Sequence, residues 1–138
     1  MQLAYAMFAD AAQLGPDGKI SMVGGDFDTI SVAEFPAQQP YLSIVIRLNV
    51  APTECDKTHQ LRVALTPPGQ GAVISTVNAS FTPHVPASDT SRPIRSVLVV
   101  NLIGLQFEAP GTYTCHLTVD GQSVADLPLH LVEAPVGA

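Results

Sequence analysis

The sequence predicts an all-β fold, a single antiparallel β-sandwich of about eight strands with Greek-key connections. Several segments alternate apolar and polar residues with a period of two, which is the pattern of strands with one buried face. The 12 prolines and 10 glycines are spread along the chain rather than clustered. They interrupt it every ~10–15 residues, as turns do in all-β domains. No segment shows the long apolar period that a helix would need.

The length of 138 residues predicts one domain over residues 1–138, because a domain holds ~100–200 residues. A chain of this length buries roughly two-thirds of its unfolded surface, so it needs neither disulfides nor a metal to fold. Residues 133–138 carry no apolar alternation, and we expect this tail to fray.

In the N-terminal third, residues 3–8 alternate in a way that predicts a strand, although their alanines also permit a helix. Pro16-Asp17-Gly18 predicts a turn. Residues 19–23 and 26–32 then predict two short strands. We interpret Gly24-Gly25 between them as a bulge or kink.

The clearest strand covers residues 41–50, where apolar and mixed faces alternate strictly over ten residues. Residues 60–66 predict the next strand, which Pro67-Pro68-Gly69 ends. Residues 72–81 are rich in Val, Ile, Thr and Phe and predict another strand. The polar, proline-bearing residues 84–93 are interpreted as a connecting loop.

Residues 94–103 predict a strand with two apolar faces. One face has Leu98, Val100 and Leu102, and the other has Val97, Val99 and Ile103. Such a strand is buried on both sides by its own chain, or its second face contacts a partner. In the first case, the loop at 84–93 or the N-terminal strand would cover the second face.

Residues 112–119 predict a strand that Asp120-Gly121 turns back into a hairpin, because both turn residues tolerate positive φ. The return strand places Leu127, Leu129 and Leu131 inward. Val124 is three residues from Leu127, so the two cannot share a face of a regular strand. We expect a bulge near Ala125-Asp126, or an outward Val124.

The segment Gly111-Thr112-Tyr113-Thr114-Cys115 resembles the tyrosine corner of immunoglobulin-like sandwiches. That resemblance implies an immunoglobulin-like fold, with the Tyr113 hydroxyl bonded back to nearby backbone. Residues 1–40 contain no cysteine that would form the usual disulfide. Cys55 lies in a polar turn, so we interpret Cys115 as a free buried thiol that acts as a small hydrophobe.

The chain also resembles, over nearly its whole length, a family of uncharacterised bacterial proteins. The shared motifs are Leu3-Ala4-Tyr5-Ala6, Asp10-Ala11-Ala12, Gly18-Lys19, Gly24-Gly25, Asp28-x-Ile30, Asn101-Leu102-x-Gly104-Leu105-x-Phe107, Pro110-Gly111-x-Tyr113, Val119-Asp120-Gly121 and Leu127-Pro128-Leu129. The resemblance implies a small β-sandwich and no assigned reaction.

Composition excludes several classes of partner and location. Charged residues make up 13% of the chain and the net charge is −6, which argues against nucleic acid and anionic membranes as partners. No apolar run approaches the ~18–20 residues of a membrane span. The apolar start lacks a positive region and a cleavage site, so we expect no secretory signal. With two reduced thiols, a cytoplasmic location is the expectation.

Asp26 and Asp28 are two residues apart on a predicted strand, so both carboxylates are expected on one side. With Asp10 and Asp17 nearby, they suggest a site for calcium or a small molecule at one end of the sandwich. The alternative is a solvated acidic edge. The spacing does not match a known calcium loop.

The four histidines, His59, His84, His116 and His130, show no zinc-binding spacing, and we interpret them as surface residues. No serine lies in a nucleophile elbow, and there is no glycine-rich phosphate loop. The sequence therefore predicts no catalytic residue, no metal and no cofactor.

We expect a non-catalytic protein that acts through protein–protein contact, as a homo-oligomer or as an accessory subunit of a larger assembly, a virus or particle shell included. An open sandwich has edge strands that must be protected, and only Lys19 and Lys57 are lysines. The predicted contact residues are Val97, Val99 and Ile103, followed by His116 and Thr118. The alternative is a ligand-binding module at Asp26 and Asp28.

Overall fold

The computed structural model describes residues 1–69, 71–85 and 91–134. These residues form an all-β fold of nine strands and one 3-10 turn at Pro52–Glu54, one strand more than the expected eight or so. The strands are β1 (Gln2–Leu14), β2 (Ile20–Phe27), β3 (Thr29–Val32), β4 (Ala37–Val50), β5 (His59–Thr66), β6 (Ser75–Phe81), β7 (Ile94–Phe107), β8 (Gly111–Val119) and β9 (Gln122–Glu133).

The strands form two sheets. The first sheet has the order β2-β1-β4-β7, and the second has the order β3-β9-β8-β5-β6. Neighbouring strands are antiparallel except β3 and β9, which are parallel. The prediction of an all-β fold is confirmed, with two sheets that are mostly but not wholly antiparallel. The exception arises because the chain leaves β2 in the first sheet at Asp28 and enters the second sheet beside β9.

The inner faces of both sheets share one hydrophobic core. The strand predicted over residues 41–50 is confirmed by β4. Four of its residues are fully buried, namely Leu42, Ile44, Ile46 and Leu48. Fully burying a Leu or Ile side chain contributes about 1.5–3 kcal/mol. The second sheet contributes core residues from β5, β8 and β9. They are Leu61, Val63, Leu65, Tyr113, Cys115, Leu117, Val119, Leu129 and Leu131.

The outer face of the first sheet is partly covered by the chain itself. β1 pairs with β4 only as far as Ala9 opposite Ser43, and the rest of the β1–β2 hairpin extends towards β7. At the hairpin tip, the Arg95 guanidinium donates to the Gly18 carbonyl at 2.8 Å. Ser43 and Val45 point away from the core, yet both are fully buried. The N-terminal strand therefore supplies part of the cover for the second apolar face of 94–103.

At the same level of the sheet, β4 and β7 both switch which of their two faces points to the core. In β7 the buried residues are Val100 and Leu102, then Leu105 and Phe107, so even numbers give way to odd ones. Gly104 lies at the change with φ +68, a conformation that glycine adopts more readily than residues with a Cβ atom. The register with β4 is unchanged on either side, so the two strands bend together.

Two predicted boundaries are wrong. β2 runs through Gly24-Gly25 without a break, and its irregularity is a bulge at Asp26, the residue left over between Ala9↔Gly25 and Phe8↔Phe27. β6 begins at Ser75 instead of 72. At the start of the tail, Glu133 pairs with Val32. Residues 135–138 and residues 86–90 of the predicted loop lie outside the described residues.

The hairpin β8–β9 has the predicted two-residue turn, with Val119 opposite Gln122. Asp120 and Gly121 take φ values of 51 and 81, as the turn requires. The expected bulge is present and Val124 is the extra residue, because Leu117 pairs with Ala125 and Thr118 with Ser123.

At the entry to β8, the Tyr113 hydroxyl donates to the Ala109 carbonyl at 2.8 Å. The Tyr113 ring packs edge-on against Phe107, with 4.9 Å between centroids. We expect Tyr113→Phe to lower the free energy of unfolding by about 1 kcal/mol, because it removes one hydrogen bond from a buried site. Urea unfolding measures this. Tyr41→Phe, at an exposed ring, is the matched control, and equal stability of both variants would contradict the role of this bond.

Candidate functional site

β7 is an edge strand of the first sheet. Its residues pair with β4 from Ile94 opposite Val50 to Phe107 opposite Ala37. No described strand pairs with its other side. The N–H and C=O groups on that side therefore form a free backbone edge, which we call the β7 edge.

The other three edge strands are short or irregular. β2 contains the bulge at Asp26, β3 has 4 residues and β6 has 7 residues. β7 has 14 residues, and Arg95 is its single charged side chain. Proteins usually protect sheet edges with charges, prolines, bulges or short strands. β7 is the least protected of the four.

Exposed apolar side chains lie beside the β7 edge. Ile103 is 73% exposed, and Tyr41 on β4, which is its Cα partner, is 37% exposed. A shallow groove between the β1–β2 hairpin and β7 contains Leu14, Tyr41, Val97 and Val99 and no charged residue. Val97 and Val99 are half-buried.

The predicted contact residues do not form one surface. Val97, Val99 and Ile103 share the outer face of the first sheet. His116 and Thr118 lie on β8, on the outer face of the second sheet. Only Ile103 of the apolar three is well exposed.

His116 is part of a polar cross-strand chain. Its Nδ1 lies 2.8 Å from Asp126 Oδ1, and its Nε2 lies 3.0 Å from Thr66 Oγ1. The order hydroxyl–imidazole–carboxylate is that of a nucleophilic triad. However, the Thr66 hydroxyl also donates to the Thr114 carbonyl at 3.3 Å, and the group stands on an open sheet face. This chain of hydrogen bonds links β5, β8 and β9.

A cleft of about 440 Å³ opens where the chain crosses between the sheets, and we call it the Asp26 cleft. Its lining residues are Ala6, Met7, Phe8, Asp26, Phe27, Asp28, Thr29, Leu127 and Pro128. The rings of Phe8 and Phe27 stack at 6.1 Å below it. The Asp28 carboxylate accepts from the Thr29 hydroxyl at 2.8 Å. Asp26 is left without a polar partner among the described residues.

The four predicted acidic ligands are not gathered in one place. Asp26 and Asp28 line the same cleft, but the bulge, not a regular strand, positions Asp26. The Asp10 carboxylate packs over Gly24, where a larger side chain would collide. Asp17 accepts from the Lys19 amide at 3.1 Å in the β1–β2 turn. In the described part of the chain, no three His, Cys, Asp or Glu residues are placed to hold a metal ion.

His59 was expected at the surface, and that expectation is wrong, since it is only 8% exposed. Its Nδ1 lies 2.6 Å from Asp120 Oδ2, and its Nε2 lies 2.7 Å from the Glu54 carbonyl. Both partners only accept hydrogen bonds, so both ring nitrogens must donate, as in the imidazolium. The alternation that turns Leu61 inward would have placed His59 inward as well.

The charge state of His59 follows from these contacts. The Asp120 hydrogen bond and then the Glu54 carbonyl raise the pKa of His59, against the opposing effect of burial. In turn, His59 and the Gln60 amide lower the pKa of Asp120. His59 thus joins the 3-10 turn to the β8–β9 turn as a charged clamp, and neither nitrogen is free for acid–base chemistry.

The sequence of residues 4–132 matches a family described as "Family of unknown function (DUF6941)". The chain belongs to this family. No curated protein matches it. Within the described ranges of this DUF6941 chain, no helix is long and apolar enough to cross a membrane.

The two cysteines of the DUF6941 chain, Cys55 and Cys115, are free and buried, which confirms the interpretation of Cys115. Burial raises the pKa of Cys115 to about 12. The thiol therefore stays protonated at neutral pH and is a poor nucleophile.

The raised pKa of His59 makes stability depend on pH. The stabilisation is fully present below about pH 6.5, the ordinary histidine value, and is lost as the pH rises through the folded-state pKa. The lowered pKa of Asp120 contributes stability above its ordinary range, near pH 4, which is lost at lower pH. We expect the free energy of unfolding to peak between these limits and to fall towards pH 9.

Urea unfolding from pH 4 to 9 tests the clamp. His59→Gln should flatten the decline above pH 6.5, because the titrating group is gone. The control is His84→Gln, which removes an exposed histidine 3.0 Å from Asp56 and should keep the decline. An identical decline in wild type and His59→Gln would contradict the clamp.

Proposed function

We propose that this member of DUF6941 is a non-catalytic interaction protein that acts through protein–protein contact, as a homo-oligomer or as an accessory subunit of a larger assembly. The observation that carries the proposal is the β7 edge. It combines 14 residues of strand with an exposed apolar side chain at Ile103. Exposed, uncharged edge strands favour pairing with another chain.

The state of the reactive side chains supports the non-catalytic part of the proposal. His59 donates from both ring nitrogens, and His116 is tied to Asp126 and Thr66 on an open face. The Cys115 thiol is protonated and fully buried.

We also propose the finer features that the sequence predicts, which concern the type of fold, the origin and location of the protein, and its partners. The fold is an immunoglobulin-like Greek-key sandwich, and the Tyr113 hydrogen bond to nearby backbone supports this. The protein is bacterial and cytoplasmic, which the resemblance and two free thiols favour. Its partners are proteins, not nucleic acids or membranes, because the net charge is −6.

The mass of the native protein, measured by light scattering over a dilution series, tests the proposal. We expect a multiple of 14.5 kDa that dissociates on dilution. Ile103→Glu should weaken the association by roughly tenfold or more, since 1.4 kcal/mol of lost contact is tenfold in affinity. This substitution suits the test better than Val99→Glu, because Val99 is half-buried and its variant risks unfolding.

The matched control is Val132→Glu, at a residue that is 40% exposed on β9 of the second sheet. It adds the same charge and should leave the mass unchanged. A monomer at every concentration that also captures no protein partner would contradict the proposal.

A second candidate function is ligand binding, and the Asp26 cleft favours it. The cleft volume of about 440 Å³ lies in the range of small-molecule sites. Two carboxylates and no basic residue line it, with apolar side chains below, so it suits a cation with an apolar body. Calcium usually takes six to eight oxygen ligands, whereas Asp26 and Asp28 are the only carboxylates among the described residues that line the cleft.

We expect millimolar n-butylammonium to raise the melting temperature of the wild type, because a ligand that binds only the folded state stabilises it. Asp26→Asn with Asp28→Asn should abolish the shift, whereas Asp17→Asn should keep it. An unchanged melting temperature with both n-butylammonium and calcium would remove this candidate.

A further inference from the structure

We infer that the partner at the β7 edge is a second copy of this chain, which pairs β7 with β7 antiparallel about a two-fold axis at Val100. The pairing would join two four-stranded sheets into one continuous sheet. The inference rests on the proposed function and names its partner and geometry.

The unpaired backbone of β7 supports strand pairing in place of contact through side chains alone. A free N–H or C=O group is satisfied by water or by another strand. The stretch from Ser96 to Phe107 contains no charge and no proline that would block a neighbouring strand. The other edges are a bulged strand, a strand of 4 residues and a strand of 7 residues.

Charge favours a second copy as the occupant. The chain carries a net charge of −6, so two copies repel each other wherever their carboxylates meet. β7 has no carboxylate. Its single charge, on Arg95, is directed to the Gly18 carbonyl on the hairpin. The β7 edge is therefore a surface on which two copies approach without opposing acidic groups.

The facing of the side chains and the position of Arg95 limit the register. A two-fold axis perpendicular to the sheet places residues of equal facing opposite each other. The outward residue Ile103 then meets Val97 of the second copy if the axis is at Val100, Val99 if it is at Asn101, or Arg95 if it is at Val99.

The Val99 axis would set the charged Arg95, whose guanidinium is held by the Gly18 carbonyl, beside the apolar Ile103. The Asn101 axis shortens the stretch of matched facing, because the facing of β7 changes beyond Gly104. The Val100 axis therefore pairs Ile103 with an apolar residue over the longer matched stretch.

This register covers the most exposed large apolar side chain among the described residues. Ile103 is 73% exposed, and Val97 of the second copy would lie directly opposite, at the Cβ distance of about 4.5–5.5 Å found across antiparallel strands. On the core side, Leu98 would lie opposite Leu102 of the second copy. The core-side face of the joined sheet thus stays apolar where the copies meet, and on the outer face Asn101 is the single polar residue between Val97 and Ile103.

Disulfide cross-linking tests the register. In the double variant Val97→Cys, Ile103→Cys, the new thiols of one chain are about 20 Å apart along the strand, too far for a bridge. The native thiols are buried. Mild oxidation should therefore give a species of twice the monomer mass on a non-reducing gel, and reductant should remove it.

The control is Val99→Cys with Ile103→Cys, which should not cross-link if the axis is at Val100 but should if the axis is at Val99, Asn101 or Ile103. Cross-linking of this control instead of the first pair would overturn the Val100 axis. No cross-linking of either pair, while light scattering gives an oligomer, would also overturn the Val100 pairing and leave the proposed function standing. A monomeric wild type at every concentration would contradict both.

Discussion

The burial of β4 on both faces is the constraint on which the rest of the first sheet depends. Leu42, Ile44 and Ile46 face the shared core, while Ser43 and Val45 face outward and are equally inaccessible. Such a strand needs cover on two sides. The second sheet covers one side. The β1–β2 hairpin covers part of the other, which explains why β1 leaves its pairing with β4 after Ala9. The outer faces of the two sheets therefore differ, because the β1–β2 hairpin covers part of the outer face of the first sheet.

The β1–β2 hairpin covers the outer face of the first sheet incompletely. The candidate interface lies where this cover ends. The hairpin tip is bonded to Arg95 at one end of β7, and Val97 and Val99 are half-buried. Ile103 and Tyr41, further along the strands, stay exposed. The second sheet differs, because its outer face carries the His116 chain and other polar groups. Ile103, the large apolar side chain with the highest exposed fraction among the described residues, thus lies at the free edge of the first sheet, where backbone groups also lack strand partners.

The sequence predicted those elements whose pattern is local. Residues 41–50 and 112–119 alternate regularly, and Asp120-Gly121 marks its own turn. The prediction from sequence failed where contacts between distant parts of the chain determine the structure. The break at Asp28 reflects a crossing between sheets, which no local signal marks, and the change of facing at Gly104 needs a matching bend in β4. Asp26 and Asp28 do line one cleft, but through a bulge at Asp26, whereas the argument from alternation assumed a regular strand there. The burial of His59 could have been predicted from the sequence, because His59 continues the row of inward-facing residues Leu61, Val63 and Leu65.

Amide hydrogen exchange of β7 tests the central claim, that this edge is open in one chain and closed by a second copy. Alternate amides between Val97 and Ile103 point to β4 and should be protected at every protein concentration. The amides between them point away, and they should be protected in concentrated protein and lose that protection on dilution. β4 amides supply the reference in the same spectra. Fast exchange of the outward amides at all concentrations would contradict the account.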